Sequence, residues 1–478
     1  MTAARSLARE VCVVGGGAAG FYSALACAGA ARSRARVVIL EKSAEVLHKV
    51  RISGGGRCNV THGDLGVPPA SVYPRGWELM RALGARHGPS DAARWFTERG
   101  VALKTEADGR VFPVSDSSAS VVDCLRNAAD DLGVEVHTGT RVRSMERVAD
   151  RSSVDAARFR LRVDSRDGVV EEVICSHVIL CCGSAQVRSV QRLFESTGNV
   201  LRPTAPSLFS LLTEDKCLEG LEGISVPDAR VCLRGNDVNA YSEDIGDATG
   251  DACGASVSER GALLVTHGGL SGPAVLRLSA WGAFALQSVA YRARIRINWV
   301  PFLENAGAAV EAIKAVPEGR PGAGGQPPVR RKAVGEVSPW PGRLPARLWR
   351  RLLEHSGPNG AKLVDVPWGR LRAPGAALQL AETFWPLASA HEFVVNGRRT
   401  NKEEFVTAGG VDWRHGLDWD RMESTTCPGV HFAGEVLDVD GITGGYNFQG
   451  CWTTGHVAGT AVAAALCGQQ DLAPPEHC

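Results

Sequence analysis

A short apolar run, Val11-Cys12-Val13-Val14, leads without a break into Gly15-Gly16-Gly17-Ala18-Ala19-Gly20, and nothing else in the chain restricts the fold as sharply. Four consecutive apolar residues without alternation suit a parallel strand buried on both faces. The segment that follows, 21–31, is rich in alanine and has helical propensity. The glycines of the G-x-G-x-x-G pattern serve distinct purposes. Gly15 makes the tight turn, Gly17 lets the backbone approach a pyrophosphate, and Gly20 lets helix and strand pack closely. With Ala18 and Ala19 beside them, they leave the N–H groups of the helix start open to phosphate oxygens. A second apolar run, Val37-Val38-Ile39-Leu40, ends in Glu41, with Lys42 directly after it. A carboxylate about 20 residues past the glycines accepts hydrogen bonds from ribose hydroxyls. Strand, loop, helix, strand and acid in that order predict an α/β dinucleotide-binding domain rather than a glycine-rich turn with an incidental acid.

A chain of 478 residues exceeds one ordinary core, so two or three domains are expected. The formal net charge of +1 supplies no overall field toward nucleic acid or anionic membrane. No apolar run approaches the roughly 18 residues of a membrane span, so no membrane partner is expected. The first strand begins near Val11, which leaves no room for a signal or transit peptide. A cytoplasmic protein is the expectation, and a plastid address would require a further N-terminal extension. The fourteen cysteines are scattered and include no C-x-x-C pair. A reducing compartment is expected, with neither a disulfide framework nor a metal site.

Two further segments decide which dinucleotide is bound. Lys49 to Asn59 contains Ser53-Gly54-Gly55-Gly56-Arg57-Cys58-Asn59, a loop whose backbone can press against a flat or anionic ligand. Near the other end, Val430-His431-Phe432-Ala433 runs into Gly434-Glu435 as a strand ending in glycine and acid. Such an acid binds ribityl hydroxyls. After Gly441, Gly444, Gly445, Tyr446 and Asn447, a helix is expected from about 450 to 466. Its N–H groups can face the flavin N1 and C2 carbonyl, where negative charge gathers on reduction. The first glycine loop alone would allow NAD, whereas the three segments together select FAD.

The segments SGGGRCN (53–59), GRVFPVSDSSASVV (109–122), THGGLSGPAVL (266–276), EFVTAGGV (404–411) and FAGEVLDVDGITGGYNFQ (432–449) carry a specific resemblance. In this order the chain is similar, over nearly its full length, to the BaiN-type (YhiN-like) family of NAD(P)/FAD-dependent oxidoreductases, which includes aminoacetone oxidases and reductases of activated double bonds. APSLFSL (205–211) is most similar to the cyanobacterial and plant branch. The resemblance implies that Cys182 and Gly183, where related flavoproteins read Ala-Thr-Gly-Gly, lie against the adenosine side, and Val142 joins the expected cofactor contacts. The Cys181-Cys182-Gly183-Ser184 stretch and Gly450-Cys451 depart from the wider pattern, so no relative's substrate transfers directly.

Between the two ends, helices are expected at 91–99 and 118–132 and strands at 134–142, 159–163 and 173–182. From about 207 the pattern changes to short strands with polar turns, at 207–212, 229–233, 261–266 and 294–299. Helices follow around 302–315, 344–355 and 376–384, with a Pro- and Gly-rich mobile linker at 317–341. The expected fold class is therefore α/β. A Rossmann-like FAD-binding domain of the glutathione-reductase type, residues 1–206 and 402–478, is interrupted by a β-rich, barrel-like substrate domain at 207–401 with a helical part at about 300–385.

FAD carries the redox chemistry, and the protein contributes positioning and electrostatics. No second G-x-G-x-x-G follows a strand, so NAD(P)H, if it is the electron donor, visits the flavin transiently. Arg57 and Asn59 bind flavin or phosphate oxygens, or they brace the loop. Cys58, beside a cation that lowers a thiol pKa, is either a thiol at the isoalloxazine or a small side chain filling a tight loop. Lys49 is a flavin or substrate ligand or an ordinary surface lysine. His267 is a proton donor to a reduced substrate or a turn-bonding histidine. Tyr446 stacks near the flavin, gives a proton, or simply packs. The leading expectation is reduction or dehydrogenation of an unsaturated or amine-bearing small molecule. Alternatives are uridine reduction in RNA, supported by the basic stretch Arg330, Arg331, Lys332, Arg343, Arg347, Arg350 and Arg351, and a non-catalytic FAD-binding protein. Oligomeric state is left open.

Overall fold

The computed structural model describes residues 10–32, 34–63, 70–148, 158–164, 170–184, 188–234, 255–316, 329–399 and 406–468. Its chain separates into two compact units, one of residues 1–206 with 402–478 and one of residues 207–401.

In the first unit, Glu10–Val14 is the middle one of the five parallel strands in a seven-stranded sheet. It pairs in parallel with Arg36–Glu41 on one side and His177–Leu180 on the other. Val430–Phe432 lies parallel beyond His177–Leu180, and Glu135–Thr138 beyond Arg36–Glu41. Two short antiparallel strands, Leu417–Asp418 and Glu423–Ser424, finish one edge. Val13, Ile39, Ile179 and Phe432 are fully buried, as a sheet covered on both faces requires. The first strand thus sits where connections leave in opposite directions, and α/β sheets bind ligands beyond the carboxyl ends of their strands at such a point.

One face is covered by the helix Ala18–Ala31 packed against the helix Tyr446–Cys467. A Cβ built on Gly459 would lie 2.2 Å from the Ser23 carbonyl oxygen, and one on Gly455 3.0 Å from that of Ala19. The missing side chains let the two backbones touch and join the chain's two ends. Two three-stranded antiparallel sheets flank this core. One contains Arg141–Val148, Arg158–Asp164 and Val170–Cys175; the other Thr61–His62, Leu103–Thr105 and Arg110–Pro113.

The second unit is built on an antiparallel sheet in the order His391–Val395, Ala293–Asn298, Ser225–Arg234, Ala255–Thr266, Gly269–Ser271, Ser210–Leu212, Gly397–Arg399. Its two outermost strands are consecutive in the chain, separated by Asn396 alone, whose N–H donates to the Leu212 carbonyl at 3.0 Å. One residue joins both edges, so the sheet curls into a nearly closed barrel. Helices Ala306–Ala315, Ala346–His355, Gly357–Leu363 and Ala376–Ala390 cover its apolar side, where Trp299, Trp349, Trp368, Phe384 and Phe393 are buried.

Several expectations needed correction. The segment 134–142 is two strands in two different sheets, because Gly139 and Thr140 hydrogen-bond back to Ser43 and Glu41 and turn the chain. The C-terminal helix starts at Tyr446 rather than near 450. Of the expected linker, 317–328 lies outside the described residues, and 329–341 is packed structure. Val334 is buried, its carbonyl accepts from the Trp349 indole at 2.7 Å, and the Gly335 N–H donates to the Val364 carbonyl at 2.8 Å. Proline and glycine there mark tight turns rather than slack.

Candidate active site

The first glycine loop is shaped by contact. Gly15 has φ +111°, and a Cβ on it would sit 2.4 Å from the Cys181 carbonyl oxygen. A Cβ on Gly20 would sit 1.9 Å from the Gly15 oxygen. Gly17 differs, since a side chain there would meet nothing within 4 Å. Gly17 is also the N-cap of Ala18–Ala31, which has no side-chain cap and no acid in its first turn. An uncapped helix N-terminus opening on free space is the cradle a pyrophosphate needs. Glu41 accepts from the N–H groups of Gly16 and Ser43, both at 2.7 Å. A carboxylate has about four acceptor positions, so two stay available for ribose hydroxyls. Lys42 is exposed. Cys182 places its Sγ 3.6 Å from the Val14 carbonyl, and Gly183 (φ +75°) lies beside Glu435. Val142 is buried in its strand opposite Val163.

The second glycine arc ends the helix His48–Gly56. Gly54, Gly55 and Gly56 take φ of +59°, +68° and +82°, one turn of left-handed backbone, with space beside Gly55 and Gly56 that a Cβ would enter freely. Ser53 closes the turn: its hydroxyl donates to the Val50 carbonyl, and its own carbonyl accepts from the Cys58 N–H. The residues after the arc brace it. Arg57 donates to Glu106 at 2.7 Å, lies 3.6 Å from Asp116, and stacks 4.0 Å over the Phe112 ring. Cys58 is fully buried with φ +62°. Arg57 does not activate it: burial pushes the thiol up to about 12, against a Ser53 hydrogen bond that lowers it. With its amide oriented by the hydrogen-bond network, Asn59 donates to the Thr61 and Val111 carbonyls and accepts from the Gly445 N–H at 2.9 Å.

That last bond reaches the third segment. Gly445 (φ +93°) is the N-cap of Tyr446–Cys467, again without a side-chain cap or an acid in the first turn. Asn447 closes a reciprocal amide pair on Gly441, receiving its N–H at 2.9 Å and donating to its carbonyl at 2.8 Å. The Tyr446 ring is buried against His62, stacked at 4.9 Å between centroids, and His62 Nδ1 lies 3.1 Å from the Gly444 carbonyl oxygen. Gly434 donates to the Thr454 hydroxyl. Glu435 is held by the Thr407 N–H at 3.0 Å and by Lys49 Nζ at 2.6 Å, across 386 residues of sequence. Burial lowers the Lys49 ammonium's pKa, but the charge and hydrogen bond of Glu435 outweigh it and the net shift is upward. Lys49 therefore acts as a fixed cation at the strand end.

Sequence reasoning missed His62 and the ion pairs that hold the 438–440 turn. Arg75 binds Asp440 in a bidentate pair that is almost wholly buried, and Arg202 lies 3.3 Å from Asp438. The acids were visible in the motif, but arginines 236 and 365 residues away carry no local signal of the pairing.

In the second unit His267 is exposed in the two-residue turn between Ala255–Thr266 and Gly269–Ser271. Much of the basic stretch is already engaged. Arg347 and Arg351 donate to the Gly220 and Glu219 carbonyls, Arg350 pairs with Glu354 and Asp365, and Arg343 lies over Phe302. Asp215, Cys217 and His391 come within ligand distance of one another. There the Trp299 indole donates to His391 Nδ1 at 3.3 Å, which leaves the proton on Nε2 facing Asp215. A protonated nitrogen holds no metal, so this is a hydrogen-bonded core group.

Two uncapped helix starts, two glycine arcs and two strand-end acids around one sheet crevice define an FAD-dependent oxidoreductase. The chain belongs to the HI0933-like protein Rossmann domain family, which matches residues 9–461. It is 28% identical to the 3-dehydro-bile acid delta(4,6)-reductase of Clostridium scindens over 465 residues, 94% of this chain and 98% of that protein. It is 26% identical to the ribosomal RNA dihydrouridine synthases of Haemophilus influenzae and Escherichia coli, over 95% of this chain and 98% of each of them. Among described residues no helix is long and apolar enough to cross a membrane.

Proposed function

We propose that this protein reduces a carbon–carbon double bond conjugated to a carbonyl in a small molecule, with NAD(P)H as the visiting electron donor. The named substrates of the two kinds of relative share one bond type. A 3-oxo steroid unsaturated at positions 4 and 6, and a uracil ring, both present a C=C bond in conjugation with C=O. The observation that carries the reading is the bare N-terminus of Tyr446–Cys467, held by Asn59 beside the open Gly55-Gly56 arc. Its partial positive charge would stabilise the negative charge that a flavin held there takes up on reduction.

Bound FAD supplies the two-electron redox chemistry. The chain's own residues do the rest. The start of Ala18–Ala31 binds pyrophosphate, and Glu41 accepts from the ribose. Glu435, oriented by Lys49 and Thr407, accepts from the ribityl chain. Gly54, Gly55 and Gly56 would let backbone approach the flavin ring, while Arg57 and Asn59 hold that arc in place. Once the β-carbon is reduced, the α-carbon needs a proton, and Tyr446 is the candidate beside the cofactor loops to give it. Engagement of the basic stretch favours a small molecule over RNA.

Anaerobic titration with NADH or NADPH should bleach the bound FAD. Addition of a cyclic enone should then restore its colour with one C=C bond reduced per flavin. Restoration by uridine-containing RNA but by no enone would move the assignment to RNA. Restoration by neither, with an amine bleaching the oxidised flavin and air restoring it, would refute the reading.

A further inference from the structure

Away from the cofactor loops, the first unit contains an aromatic column that the reaction does not use. Trp452 is fully buried, and its indole N–H donates to the Val60 carbonyl at 2.8 Å, just past the glycine arc. Its ring lies 5.2 Å from that of Tyr22, which lies 4.9 Å from that of Trp95. Phe96 packs against all three. Trp95 is half-buried, so the column runs from the interior to the surface. The Tyr22 hydroxyl is 2.8 Å from His87 Nε2, and His87 stacks on His456 at 4.2 Å.

We propose that Trp452, Tyr22 and Trp95 form a one-electron relay in which Tyr22 is the resting place of the hole and His87 takes its proton. The oxidant is a radical of the oxygen-derived class, to which any protein binding a reducible flavin is exposed in air. An indole radical at half-buried Trp95 withdraws an electron from Tyr22 and regains a proton from solvent, and one at buried Trp452, whose N–H stays bonded to the Val60 carbonyl, takes the electron alone. The Tyr22 O–H bond breaks, its proton passes to His87 Nε2, and a neutral tyrosyl radical and an imidazolium remain. An oxidised phenol is a strong acid, so a nitrogen lone pair already in contact lets electron and proton leave together.

Three observations support Tyr22 over its neighbours. Burial holds its phenol well above the ordinary value and holds the His87 imidazole down near 3, so at neutral pH the phenol keeps its proton and the imidazole keeps an open lone pair. The Arg99 guanidinium lies 4.2 Å over the Trp95 ring, and a cation there makes an indole radical more oxidising, which drives the hole inward. Tyr73 is equally buried and also sits among rings, but its hydroxyl donates to the Tyr446 carbonyl, which cannot keep a proton.

The test is pulse radiolysis of the holoprotein with azide radical, which oxidises accessible tryptophan. The expected result is loss of tryptophanyl absorbance matched by growth of tyrosyl absorbance, at a rate independent of protein concentration. Tyr22→Phe and Trp95→Phe should each abolish that phase, and Tyr73→Phe should retain it. His87→Phe should slow it at least about tenfold, equivalent to about 1.4 kcal/mol of barrier, with the tryptophanyl yield unchanged. FAD content of each variant verifies folding, and Trp95→Phe, which alters a half-buried ring, remains informative if Tyr22→Phe fails to fold. A tyrosyl phase that persists in full in Tyr22→Phe or Trp95→Phe, or is indifferent to His87→Phe, would overturn the proposal.

Discussion

The contact between Ala18–Ala31 and Tyr446–Cys467 can be dissected with three substitutions of the same chemistry on one helix: Gly450→Ala, Gly455→Ala and Gly459→Ala. Each replaces a helix-interior glycine, and each gains about 1 kcal/mol of helix propensity. They differ in what the new methyl meets. At Gly450 the nearest atom is Met80 Sδ at 3.9 Å, an ordinary contact, so the gain survives. At Gly455 the Ala19 carbonyl at 3.0 Å and the Ser23 hydroxyl at 3.2 Å must each yield a few tenths of an ångström. Overpacking of that kind costs about 1 kcal/mol and leaves the balance near zero. At Gly459 the Ser23 carbonyl at 2.2 Å and the Cys27 nitrogen at 2.9 Å are backbone and cannot swing aside. One helix must then retreat by roughly 1 Å, at the upper end of the range of about 1–3 kcal/mol for overpacking. The net loss is about 2 kcal/mol. The two extremes should differ by about 3 kcal/mol, which at roughly 2–4 °C per kcal/mol is a spread of about 6–12 °C in Tm. Thermal melts followed by tryptophan fluorescence measure the order, and flavin fluorescence in the same scan reports FAD release. Gly459→Ala should release FAD earliest, because the helix it displaces carries the pyrophosphate loop. Equal melting points for Gly450→Ala and Gly459→Ala would refute the backbone contact.

Gly17→Val should leave apoprotein stability within about 0.5 kcal/mol of the parent, since the side chain enters open space. It should nevertheless abolish FAD retention on gel filtration, and a variant that keeps its flavin would remove the pyrophosphate from that position. Glu435→Gln removes the charge that Lys49 pairs with and should speed FAD dissociation; an unchanged rate in stopped-flow dilution would make the pair merely structural. Asp440→Asn removes the carboxylate from the bidentate pair with the buried Arg75 guanidinium and should cost about 3–5 kcal/mol in urea unfolding. Burial depresses His87 to about 3 and His177 to about 4, with charge from His456 and His431 respectively acting in the same direction. A depressed histidine is protonated first in the unfolded chain, so stability is flat above about pH 6.5 and falls as pH drops from there toward 3. His87 alone contributes on the order of 4 kcal/mol to that fall. His87→Phe should flatten the acid limb of a pH–Tm profile, and an unchanged limb would contradict the assignment.

Much of the nucleotide fold was legible because its requirements are local. A strand covered on both faces must be apolar throughout, a turn with strongly positive φ must be glycine, and an acid at the next strand end follows at a set spacing. Val11 to Gly20 and Val37 to Glu41 meet those requirements within one stretch of chain. The strands of the barrel were visible in outline for the same reason. Its barrel-like character was expected as well, but which strands close it was not legible, because that depends on His391–Val395 and Gly397–Arg399 reaching opposite edges of one sheet. The 134–142 segment misled because period-2 alternation continues across Gly139, where two backbone bonds to Ser43 and Glu41 divert the chain.

The sequence by itself determined the cofactor class, from local motifs at both ends read together, and the parallel strands and the change of pattern near 207, which follow from neighbours in the chain. Only the tertiary structure decided what the charged and polar residues of the motifs do. Arg57 turned toward Glu106 and Asp116, Cys58 became a buried thiol, Lys49 locked onto Glu435, and His62 came under Tyr446. A side chain's partner and burial depend on which distant segment folds over it, and a linear pattern carries no record of that.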